Sequence, residues 1–563
     1  GSQNVAIGRH ALSSNSAAND NVAIGFYALK VNTTGTQNVG VGNSALAANT
    51  TASGNTAVGF RALMTSTTSV RHTAVGFNAL RVTTTGSDNT ALGYGTLQAN
   101  TTGQNNTSVG SEALLSNTTG SQNTSVGKEA LEQNTTASGN SAFGYQALRD
   151  NTTAVRHVAV GYAALRANTN ASDNTALGYF ALAANTTGEQ VVAVGSYALD
   201  TNTTGSYNTA IGYKCMDANT TGTTNVAVGN RCLEANTTAS DNTAMGTSAM
   251  AANTTGASNT AIGRRALAAN TTGSWHVALG REALENSVQG NGSVAIGYKA
   301  LHTDTDASYQ VAIGFEALLS QSTGSGNIAI GYRCMHNLTT GSQNTAIGHQ
   351  ATYSISESNN CTALGYKALY AVTDGGPHNT AIGTESMLVA TNARSNSAVG
   401  DGTLRSLTTG DQNCAMGHNA MYNATTATQN TVIGAGEVGS NVAAGFNLTT
   451  GSNNTLIGAS AGTTLSTEDF NTAVGSGALQ TVNAARNTAV GYQASFSATT
   501  GVGNCSVGHK AGRNTTTGDY NVAMGDQALE SSTTGDKNIA IGGFALHDST
   551  TTANNVAIGY NAM

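Results

Sequence analysis

The amino-acid sequence predicts an all-β fold, a parallel β-solenoid of about 34 coils of 17 residues with two short strands in each coil. Three observations lead there: a strict short period, a glycine kept at one place in every repeat, and apolar residues that avoid helical spacing.

The period comes first. The motif N-[TV]-A-[VIL]-G begins at Asn4, Asn21, Asn38, Asn55, His72, Asn89 and Asn106, and keeps its 17-residue step as far as Cys361. Counting on to Asn555 gives 34 copies. The departures are one extra residue beside Pro377, a short pair of steps from Asn430 through Asn441 to Asn454, and a missing residue before Asn487. Residues 1–563 are therefore expected to form one continuous array, regular over 1–361, with irregular coils near 374–379, 430–458 and 471–491. A kink or a changed coil cross-section is expected between Asn430 and Asn454. At about 4.8 Å per coil the whole array would be a rod of roughly 160 Å.

Numbered from its Asn, the unit reads N-T-A-V-G-Y-x-A-L-x-x-N-T-T-G-x-x. Positions 1–5 and 6–10 are each long enough for a short strand, and N-T-T-G supplies the closing turn. Each strand then pairs in parallel with its copies in the neighbouring coils. The position-5 glycine, as at Gly8, Gly25, Gly42, Gly59, Gly76 and Gly93, marks a corner where φ is positive or where backbones approach too closely for a Cβ. Position 4 is Val, Ile, Leu, Met or Phe and position 9 is mostly Leu, so both are expected to fill the coil. Positions 3 and 8 are usually Ala. The cysteines occupy small-residue slots, Cys215, Cys232 and Cys334 at position 8, Cys414 and Cys505 at position 2, Cys361 at position 1. They read as thiols standing in for Ala, Thr or Val, with no disulfide framework.

Composition narrows the function classes. Charged residues are 9%, aromatic residues 5%, and there are 68 glycines against a single proline. The apolar 39% is regularly placed, which separates the chain from disordered sequences. A net charge of −7 and no Lys/Arg stripe argue against nucleic acid as a partner. No apolar run is long enough for a membrane span.

Four sets of residues are candidate sites. The position-12 asparagines Asn100, Asn117, Asn134, Asn151, Asn185, Asn202, Asn219, Asn236, Asn253 and Asn270 are each followed by x-Thr, so they are glycosylation acceptors or members of a stacked amide ladder. The position-6 aromatics Phe26, Phe60, Phe77, Tyr94, Tyr145, Tyr162 and Tyr179 form an intermittent row, read as a partly exposed flank with glycan binding as the alternative. The threonines of positions 13 and 14 suggest ice-binding ladders, but they fall in a turn. The G-A-S-A-G around Ser460 matches a nucleophile elbow without the strand-to-helix turn that chemistry needs. No catalytic residue, cofactor site or metal-ligand spacing is assigned.

Strings such as QNVAIG (Gln3 to Gly8), DNVAIG (Asp20 to Gly25) and GSVAIGYKAL (Gly292 to Leu301) resemble the head repeats of YadA-like trimeric autotransporter adhesins, and the longer unit resembles repeat arrays of bacteriophage and other viral fibre proteins. The adhesin repeat is shorter than the one seen here. The resemblance implies a left-handed β-roll, three chains side by side, and display on a cell or virion surface. The function expected is a structural fibre or adhesin segment, an extracellular rod that projects a binding surface toward a receptor or glycan. The alternative is a self-assembling filament, because neither end of the sequence carries a polar cap and head-to-tail stacking would cover both.

Overall fold

The computed structural model describes residues 1–306, 308–372, 376–436 and 442–563. It is a parallel β-solenoid with a 17-residue repeat, in two compact units, Gly1–His276 and Val277–Met563. Among the described residues there are thirty-three strands, β1 (Val5–Ile7) to β16 (Thr260–Ile262) in the first unit and β17 (Val277–Leu279) to β33 (Val556–Ile558) in the second. Each is three residues long and pairs in parallel with its equivalent in the adjacent coil, as Thr90↔Thr107, Ala91↔Ser108 and Leu92↔Val109 do.

One strand per coil, not two, is the first correction. Positions 6–10 stay bonded between coils but leave the β region, because positions 7 and 9 have positive φ, as at Tyr27 (59°) and Leu29 (48°). The sign change turns successive peptides in opposite directions along the stack. The Tyr27 amide donates back to Arg9 O at 3.1 Å and the Leu29 amide donates forward to Ala45 O at 3.0 Å. Position 17 is also left-handed, as at Gln37 (60°) and Asp88 (59°). The signal was present in the sequence: the glycines that interrupt these slots, Gly95 at position 7, Gly462 at position 9 and Gly139 at position 17, share the same φ sign.

The second correction concerns what fills the coil. Strand burial runs partly exposed, buried, partly exposed or exposed, so the position-3 residue points in and positions 2 and 4 point out. The core consists of position-3 and position-8 alanines and position-9 leucines, for instance Ala57, Ala62 and Leu63, all fully buried. Position 4 does not contribute to it. The space beside position 3 is filled by the position-9 leucine: a Cβ on Gly40, which holds position 3, would lie in contact at 3.4 Å from Leu29 Cγ.

The corner glycine follows from the pitch. At Gly25 (φ 132°) a Cβ would sit 2.6 Å from Gly42 O, and the same clash with the next corner's carbonyl meets Gly8, Gly42, Gly59, Gly76 and Gly93. Stacked corners leave room for hydrogen only.

The irregular coils differ from one another. Between β26 (Thr431–Ile433) and β27 (Thr455–Ile457) the register steps by 24 residues, so the N-V-A-A-G at 441–445 is not a coil of its own and the 34 copies reduce to thirty-three strands. Ala444 stands at position 8, accepting from the Met421 amide at 3.2 Å, and Gly445 takes the leucine slot at position 9. Seven residues, 437–443, thus stand in sequence between positions 7 and 8; 437–441, with Gly439 and Asn441, lie outside the described residues. The missing residue before Asn487 is taken from position 14 of the turn, since Asn483 still bonds Thr499 O as position 13 and Arg486 keeps the left-handed φ of position 17. The extra residue near Pro377 falls within 373–375, also outside the described residues.

Candidate functional site

The outward side of the strands is the surface most unlike that of an ordinary soluble protein. Position 4 places a bulky apolar side chain outward on coil after coil: Leu177 is 44% exposed, Ile211 40% and Met245 42%, and Ile347, Leu364, Met416 and Met524 repeat the arrangement in the second unit. Position 2 adds Val158, Val226 and Ile328 on the same face. Parallel pairing in register sets these residues directly over one another, as Leu177 over Val194 and Val194 over Ile211. Monomeric proteins seldom leave contiguous apolar patches beyond about 300–600 Å² open to water, and a row that repeats coil after coil is of the kind that marks an interaction surface.

The position-6 aromatics flank this face in stacked runs. Centroids lie 5.0 Å apart for Phe60–Phe77 and 5.4 Å for Phe77–Tyr94, then 5.1 and 5.3 Å along Tyr145–Tyr162–Tyr179. In the second unit Tyr298, Phe315, Tyr332, His349 and Tyr366 form a run of five. Arg61, Arg333 and Lys367 add cation–π contacts at 4.8–5.3 Å. Inner rings of a run have a neighbour over both faces, so they do not offer the open ring face on which a sugar would stack.

The position-12 asparagines from Asn100 to Asn270 are all buried and hydrogen-bonded into a ladder. Asn117 Nδ2 donates to Asn100 Oδ1 at 2.9 Å and to Gly120 O at 2.9 Å; Asn134, Asn151, Asn202, Asn219, Asn236, Asn253 and Asn270 repeat the pair of bonds, and Asn168 joins Asn151 to Asn185. A glycan would have to be joined to that same nitrogen, which has neither space nor a free hydrogen in the folded coil. In the second unit the slot holds Leu338, Ile355, Leu407 and Leu465, also fully buried, as a packing position allows. The position-1 asparagines make a second ladder: Asn89 Oδ1 accepts the Asn106 amide at 2.9 Å, and Asn89 Nδ2 meets the Gly103 carbonyl at 2.9 Å beside Asn100 Nδ2 at 3.0 Å. Two amides thereby converge on the turn carbonyl of position 15. Position-13 threonines are engaged too, Thr118 Oγ1 donating to Thr135 O at 3.0 Å.

His72 and His157 replace the position-1 asparagine. Burial pushes both imidazoles down to about 4, so they are neutral near pH 7, and each Nδ1 accepts the amide of the next coil, from Asn89 and Asn174 at 3.2 Å. Cys215 and Cys232 are free and buried, and each thiol donates to a position-3 carbonyl at 3.2 Å. Burial pushes the Cys334 thiol up to about 12 and that of Cys361 up to about 11, far from the range of a nucleophile. Ser460 sits at position 7 with its Oγ donating to Val442 O at 2.9 Å.

Ligand spacing along the chain does not disclose Glu285 and His302, because neighbours in this fold lie one whole period apart; their side chains approach to 3.3 Å across adjacent coils. Among the described residues no helix is long and apolar enough to cross a membrane. The chain matches no protein-family model and none of the curated proteins.

Proposed function

We propose that the chain is a structural segment of a fibre or adhesin, displayed outside a cell or on a virion, and that its outward strand faces are covered by further copies of itself. The apolar position-4 row carries this reading. A water-exposed stripe of Leu, Ile, Val and Met repeated at every coil is costly for a lone chain, and it is self-complementary because each copy presents the same spacing. The resemblance to trimeric adhesin heads makes three copies the expected number. Stacked, bonded coils suit reach and stiffness, so the role is mechanical, with receptor or glycan contact made along the sides or at a tip.

Mass in solution tests this. Three times 56.5 kDa is the expected result, falling to one chain when Leu177, Ile211 and Met245 are all changed to Asp. A wild-type chain that stays at 56.5 kDa at tens of micromolar removes the proposal, and a mass that climbs without limit with concentration favours the head-to-tail filament.

A further inference from the structure

Glu282 stands at position 7 and Glu285 at position 10 of one coil, and His302 stands at position 10 of the next. One donor atom from each lies within 4.8 Å of the other two. Both glutamates are buried, 6% and 5% exposed, and His302 Nε2 is 3.3 Å from Glu285 Oε2. Two ligands on a tetrahedral ion at about 2.0–2.1 Å are themselves about 3.3 Å apart, so this pair already has the spacing of a coordination edge. Two carboxylate oxygens and one imidazole nitrogen are a donor set for a divalent first-row ion.

We propose that Glu282, Glu285 and His302 bind one divalent transition-metal ion, of which Zn²⁺ is the representative. Glu282 closes the triad by side-chain rotation. Its present cationic partners are Arg281 Nε at 2.9 Å and Lys299 Nζ at 3.7 Å. Both also lie over the Tyr298 ring, at 5.6 and 5.5 Å, so each keeps an attractive partner when the ion takes over the carboxylate. A 2+ charge placed between two buried carboxylates neutralises both at once, where the present arrangement needs separate cations.

The chain contains its own controls. His547 Nε2 is 3.3 Å from Glu530 Oε2 in the same position-10 relation, but Gln527 takes the place of Glu282. His336 Nε2 is 3.4 Å from Glu316 Oε2, the relation of His302 to Glu282, but Leu319 takes the place of Glu285. The His336 pair lacks the second carboxylate, and at His547 the second one, Asp548, bonds the opposite ring nitrogen, Nδ1, at 2.7 Å, so that only the coils of Glu282 and His302 bring three donors together among the described residues.

Chelator-stripped full-length chain titrated with Zn²⁺ by calorimetry, and with Co²⁺ by visible absorption, tests the assignment. We expect one saturable ion per chain, lost in H302Q, weakened at least about tenfold in E282Q and E285Q, and unchanged in H547Q, with the circular dichroism of all four variants matching wild type. No saturable binding overturns the proposal. So does an affinity that is the same in all three triad variants, or a thiolate-to-cobalt charge-transfer band, which would put the ion on a cysteine.

Discussion

Leu456 occupies the space that a position-9 leucine fills in most coils, and Gly462 leaves that space open for it: a Cβ on Gly462 would lie 2.8 Å from Leu456 Cδ2. Leu456 is at position 3, where Ala is the rule, and both it and the neighbouring Val432 are fully buried. Gly445, in the leucine slot of the coil before, makes the same concession, its Cβ position lying 3.1 Å from Leu456 Cδ1. The space between positions 3 and 9 can be filled from either of them, and beside Gly462 the position-12 Leu465 also reaches it, its Cδ1 lying 2.8 Å from the Cβ position.

From that exchange follows a coupled pair of substitutions. Leu456→Ala alone should cost about 3 kcal/mol by leaving a cavity, and Gly462→Leu alone about 1–3 kcal/mol by overpacking. Together they rebuild the usual Ala and Leu pattern, so the double variant should recover most of the loss. Denaturant midpoints of the four chains check this; additive losses would show that the two sites do not share volume.

Corner glycines should be far less replaceable than turn glycines. At Gly93 (φ 142°) a Cβ would meet Gly110 O at 2.5 Å, whereas at Gly139 (φ 73°) it would meet nothing within 4 Å. Gly139→Ala pays for the left-handed backbone only, about 1 kcal/mol, while Gly93→Ala must also separate two coils and should cost at least about 3 kcal/mol. Thermal or urea unfolding of the two variants side by side distinguishes them.

Non-glycine residues in left-handed conformation offer the opposite change. Gln122 is exposed at position 17 with φ 59°, the slot that Gly139 fills in the next coil. Gln122→Gly should raise stability by about 0.5–1 kcal/mol, by relieving the Cβ strain of that region. An unchanged or lower midpoint would count against strain at this position.

Acid should loosen the coils of His72 and His157. The imidazole takes its proton near 6.5 in the unfolded chain and near 4 in the folded coil, because burial opposes the charge. Between those values the unfolded chain binds more protons, so stability falls as pH falls from about 6.5 to about 4 and levels off below. The full effect is up to about 3 kcal/mol per histidine. The protection factors of the Asn89 and Asn174 amides, which donate to these rings, should fall over that window once the slower intrinsic exchange of more acidic solution is divided out. In His72→Asn and His157→Asn chains, which restore the usual residue, that fall should disappear.

The amino-acid sequence by itself determined the repeat, the parallel stacking it forces, and the glycine corner, because residues one period apart in a solenoid are spatial neighbours. Asn100 and Asn117 could be placed side by side, as ladder or acceptor, before any coordinates. Only the tertiary structure decided which way each residue faces. Position 4 reads as core from its Leu, Ile and Val, yet it faces out, because side chains alternate along the strand and position 3 is the one that points in. The asparagine nitrogens, for which ladder and glycan acceptor both stood open, are enclosed in the ladder, and Glu285 meets His302 across coils. Side-chain direction here is set by where φ changes sign, at Leu29 and Tyr27 and their equivalents, and most of those residues are not glycine, so their identity does not disclose the turn they make.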